Sequence, residues 1–92
     1  MEAPSQQKRF LVVYDSGRGA VWASLRARTR AEIYMRFPEL QVVDRPPGWM
    51  TPEVLERIER EMTADVEEDP AALLARLREW PAEGPVPGRR PG

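Results

Sequence analysis

The stretch Lys8-Arg-Phe-Leu-Val-Val-Tyr-Asp-Ser-Gly-Arg-Gly-Ala-Val-Trp-Ala-Ser-Leu-Arg-Ala-Arg-Thr-Arg-Ala-Glu32 decides the fold, because it spells strand, tight turn, strand and helix start in one pass. Residues 10–14 are all apolar or aromatic, of the β-branched and ring types that pack on a pleated surface, and Asp15-Ser-Gly-Arg-Gly19 closes them with a turn. This is a central strand entering a hairpin. The next segment alternates: Val21, Leu25 and Ala27 fall on one face, and Trp22, Ser24, Arg26 and Arg28 on the other. The second strand is therefore expected to be half exposed, with the Trp22 stripe facing outward.

Thr29 with Glu32 has the spacing of a capping box, the hydroxyl accepting from the backbone three residues on and the carboxylate reaching back to the Thr29 N–H. About two turns of helix follow, with Ile33 and Phe37 toward the sheet, and Pro38 stops the helix. Leu40 to Asp44 reads as a third strand. Placed beside the first strand it gives the order 2-1-3, the connection through the helix making it parallel to the second strand. Arg45-Pro-Pro-Gly-Trp-Met50 is a stiff linker, and Thr51-Pro52-Glu53 and Asp69-Pro70 each announce a helix by cap and first-turn proline. The apolar stripes of those helices are Val54, Leu55, Ile58 and Met62, then Leu73, Leu74, Leu77 and Trp80. Glu53 with Arg57, and Glu56 with Arg60, have the spacing of helical ion pairs. The expected fold is α+β, a three-stranded antiparallel sheet with helices on one face and the connectivity ββαβαα.

The 92 residues divide into a flexible N-terminus (1–7), one domain (8–80) and a Pro/Gly-rich tail (81–92) expected to be disordered. A core from so short a domain is small, and self-association, as a homodimer, would help it. Neither cysteine nor histidine is present. Disulfides, thiolate nucleophiles, imidazole bases and the commonest zinc ligands are thereby removed, so no cofactor or metal is expected and an enzyme is disfavoured. Any catalysis would rest on carboxylates, Tyr14, Tyr34, Lys8 or arginine. No long apolar run or signal-like N-terminus occurs, which gives no membrane association and the cytoplasm as the expected location. Residues 1–45 carry eight basic and five acidic groups, and residues 46–80 four basic and nine acidic, so the chain is a weak dipole.

Candidate chemistry is sparse. Ser16-Gly-Arg-Gly19 feeds a strand rather than a helix N-terminus, which makes it a hairpin turn and not a phosphate loop. Asp65, Glu67, Glu68 and Asp69 lack the spacing of a calcium loop and read as helix termination and capping. Met50 precedes the Thr51 cap and is placed to staple onto Leu55, leaving Trp49 as an apolar anchor in a rigid loop. The partner-binding candidates are thus Trp22, Arg26, Arg28 and Trp49, an aromatic-and-arginine surface suited to a protein partner. The same stripe could stack on single-stranded bases, although a pI near 5.5 argues against nucleic acid.

Arg9-Phe-Leu-Val-Val-Tyr-Asp15, Gly19-Ala-Val-Trp-Ala23 and Thr29-x-x-Glu-Ile33 resemble a family of short, uncharacterised actinobacterial proteins with an opening of this kind, over about residues 8–62. That resemblance implies a fold and no activity. The Phe-Leu-Val start, the later Trp22 and Pro46-Pro-Gly-Trp49 are also similar to MbtH-like adaptors of nonribosomal peptide synthetases. Here Ala23 stands where that family has proline, the Pro-Pro-Gly-Trp follows the third strand instead of preceding it, and the helix from Arg30 is additional. The second resemblance implies a small adaptor. The expected function is a non-enzymatic protein-interaction module, adaptor or regulator; the alternatives are a nucleic-acid binder on the Trp/Arg face and a carboxylate-dependent enzyme or small-ligand protein.

Overall fold

The computed structural model describes residues 7–84 and Val86. Among these, the strands β1 (Lys8–Asp15), β2 (Ala20–Ala27), β3 (Leu40–Val43) and β4 (Thr63–Asp65) form one sheet, with the helices α1 (Arg30–Arg36), α2 (Pro52–Glu61) and α3 (Pro70–Glu79). The α+β class and the order of the first three strands agree with the sequence. The sheet itself is larger and mixed, β3-β1-β2-β4, with β4 parallel to β2 and the other pairings antiparallel. Three residues directly after a helix carry no readable alternation, so β4 has no signature in the sequence.

Local chemistry builds the hairpin as expected. Gly17 and Gly19 supply positive φ values of 84° and 141°, the Asp15 carboxylate accepts from the Gly17 N–H at 2.9 Å, and the Ser16 N–H donates to the Gly19 carbonyl. Thr29, Thr51 and Asp69 each cap their helix by accepting from the N–H three residues on. The return arm of the Thr29 box is displaced by one residue: Glu32 accepts from the Arg28 N–H at 2.8 Å rather than from Thr29.

The sheet carries helices on both faces, which corrects the one-sided arrangement. Val12, Val21, Leu25 and Val42 pack with Ile33 and Phe37 around α1 and with Leu73 and Leu77 of α3, whereas Val13, Ala20 and Trp22 pack with Met50, Ile58 and Met62 around α2. Handedness explains the division. The crossover from β2 through α1 moves to the β3 edge, and the crossover from β3 through α2 returns past β1 and β2 to β4 on the other edge. Two parallel crossovers that traverse the sheet in opposite directions can share the right-handed sense only with their helices on opposite faces.

Some residues of the expected tail contact the domain. The Glu83 N–H donates to the Ala20 carbonyl at 2.7 Å and the Ala20 N–H to the Gly84 carbonyl at 3.1 Å. Val86 packs against the α2-side core. The remaining tail residues and residues 1–6 lie outside the described residues.

Candidate functional site

β4 covers only part of the outer edge of β2. Its register runs along residues 24–26, which leaves the stretch beginning at Ala20 open beyond the end of β4. Three elements converge on that opening: β2 contributes the Ala20 backbone and the Trp22 indole, the linker before α2 contributes Trp49, and α2 contributes Arg57. Residues 82–84 occupy it.

Each contact in this groove has a distinct physical role. Two backbone bonds tie the segment to Ala20 at the sheet edge, Glu83 donating and Gly84 accepting, which gives affinity without reading side chains. The Trp22 Nε1–H donates to the Glu83 carbonyl at 2.7 Å, fixing the depth at which the segment sits. Arg57 reads the side chain, its guanidinium donating to both Glu83 carboxylate oxygens at 2.6 Å. This pair holds the Arg57 pKa above its ordinary value, first through the hydrogen bond and then through the charge of Glu83. Gly84 lies against Trp49 with φ of 73°, and a Cβ there would sit 2.7 Å from the Trp49 ring. The Trp22 ring lies behind Trp49, edge-on at 5.9 Å between centroids, and limits its retreat toward the core.

The four residues expected to form one stripe separate. Trp22 is 1% exposed and belongs to the α2-side core, a correction of its outward placement: the strand alternation is right, but α2 covers the face it points to. Ser24, on the same side, is buried as well. Arg26 and Arg28 are exposed, near the end of β2 beyond the part that α2 covers. Arg26 lies beside Thr63, Asp65 and Glu68, and Arg28 lies in a shallow depression with Thr29, Glu32, Met35 and Arg36. Trp49 is 40% exposed and joins Trp22 instead of standing apart. Met50 is buried in the same cluster as Leu55, as the staple requires.

Arg57 and Glu83 escaped the sequence reading. Arg57 has a helical partner in Glu53 by spacing, yet the pair it forms is with Glu83, twenty-six residues on. Spacing along one helix carries no information about a chain that returns from elsewhere. Among the described acids, Asp65 and Glu68 are used in turn bonds and Asp69 in a cap, and Glu68 also pairs with Arg76 at 3.0 Å. No described cluster of acids has the arrangement of a metal site, and no helix among the described residues is long and apolar enough to cross a membrane. Comparison with family models, curated proteins and solved structures gives no match to this chain.

Proposed function

We propose that this chain is a small, non-enzymatic protein-interaction module, an adaptor or regulator, whose working surface is the groove along the free edge of β2. One observation carries the reading. A chain segment is held there by two backbone bonds to the sheet edge, an indole hydrogen bond and an ion pair at once, and capture of a peptide at an open sheet edge uses the same kinds of contact. The absence of histidine and cysteine from the sequence supports a binding role over catalysis.

Arg28, beside exposed Met35, forms a weaker second candidate surface. Titration of the isotopically labelled chain with extended acidic peptides separates the two. Saturable amide and indole shifts at Ala20, Trp22 and Trp49, abolished by Arg57→Ala, are the expected result. Shifts confined to Arg28, Met35 and their neighbours, or no shifts with any peptide even when Glu83→Lys releases residues 82–84, would overturn the groove as the working surface. Trp22→Ala is unsuitable as a binding probe, since it removes a core side chain.

A further inference from the structure

We propose that Ala82-Glu83-Gly84 is a built-in competitor for this groove, and that the partner's segment has the same chemistry: an extended chain carrying a carboxylate immediately before a glycine. The inference rests on the groove being the interaction site and specifies what it takes and how it is regulated.

Two features select the sequence. One Arg57 guanidinium nitrogen, Nη2, lies 2.6 Å from both oxygens of the carboxylate, a charge-assisted contact that a neutral amide weakens and that a lysine in the carboxylate's place would turn into repulsion. The following position meets the Trp49 ring so closely that a Cβ has no room, in a backbone region L side chains rarely adopt. The groove itself depends on Gly19, where a Cβ would lie 3.1 Å from the Ala82 Cβ and 3.3 Å from the Gly84 carbonyl oxygen. Backbone pairing at Ala20 tolerates any sequence, so selection falls on these positions.

Connectivity supplies the regulation. α3 ends at Glu79, leaving residues 80–82 as the tether between a fixed helix and Glu83. A tether this short holds the segment at a high effective concentration, so an external segment competes at a disadvantage until the strap leaves. Trp80 packs against both cores and anchors the near end of the tether, which confines release to the residues that follow.

The test uses the full chain and a fluorescein-labelled peptide, Trp-Pro-Ala-Glu-Gly-Pro-Val, read by anisotropy. Glu83→Lys with Gly84→Val releases the strap, and this variant is expected to bind the peptide roughly tenfold or more tighter than the unaltered chain. Replacing the peptide's glutamate by glutamine, or its glycine by alanine, is expected to weaken binding about tenfold. Equal affinity of the variant and the unaltered chain would overturn cis competition, and indifference to the glutamate and glycine would overturn the selectivity. If no acidic peptide binds a released chain that keeps its circular dichroism, the groove reading itself falls. If the released variant does not fold, Arg57→Glu serves instead: binding of a peptide with arginine in place of glutamate, and rejection of the original, supports the assignment, and the reverse preference refutes it. A dimer of the unaltered chain that exchanges straps would appear in sedimentation as concentration-dependent association suppressed by excess peptide; association unaffected by peptide would contradict the strap as the groove's ligand.

Discussion

Trp22 shows how far one side chain's role depends on what lies above it. Its ring fills the α2-side core, its nitrogen donates to the Glu83 carbonyl and its edge supports Trp49. Trp22→Ala is expected to cost about 3–5 kcal/mol in denaturant unfolding, the range for deleting a large buried ring. Arg26→Ala and Arg28→Ala, on exposed positions of the same strand and the residue after it, should each stay within about 0.5 kcal/mol of the parent. A smaller loss at Trp22 than at either arginine would refute this division. The strand's period correctly separated the two sets of side chains. Solvent exposure was misjudged because alternation states which face a residue shares, not whether a helix covers that face.

At the scale of elements, both edges of the sheet are closed by local hydrogen bonds. On β3 the Val42 N–H donates to the Tyr34 hydroxyl at 3.1 Å and the Leu40 N–H to the Phe37 carbonyl at 3.0 Å. On β4 the Asp65 N–H donates to a Glu68 carboxylate oxygen, and the Glu68 N–H returns to the Asp65 carbonyl. Such plugs oppose edge-to-edge pairing of copies. Tyr34→Phe is expected to cost about 1 kcal/mol and to accelerate amide exchange at Val42 before other β3 positions; unchanged exchange there would show that the hydroxyl does not guard the edge. Thr51→Ala removes the cap of α2 and should cost about 1 kcal/mol, read as a lower unfolding midpoint. The caps and the proline starts were legible because they are contained within four residues. β4 was not, since its only strand-like property is its neighbour β2.

For the molecule as a whole, residues 82–84 cover the part of the β2 edge that β4 leaves open. Ending the chain after Trp80 removes the two backbone bonds at Ala20, the indole bond and the Arg57 ion pair together. After allowance for the ordering entropy regained, the expected loss is about 1–3 kcal/mol. A domain of this size would then melt about 5–20 °C lower, with tryptophan emission shifted to the red as Trp22 and Trp49 meet water. An unchanged melting temperature and spectrum would mean the segment contributes nothing to the folded state.

The sequence by itself determined the hairpin and the three helix starts, because turn glycines, caps and strand periodicity act over a few residues, and the wholly apolar run at residues 10–14 marked β1 as a central strand with room for β3 beside it. Only the tertiary structure decided that the Trp22 face is interior, that a fourth strand lies beside β2 and that Arg57 faces Glu83. Those outcomes follow from the reversal of crossover direction at β3, which sends α2 to the opposite face, and from a chain end returning to an edge formed more than sixty residues earlier. Both are relations between distant segments, fixed by handedness and packing, and no short window of sequence contains them.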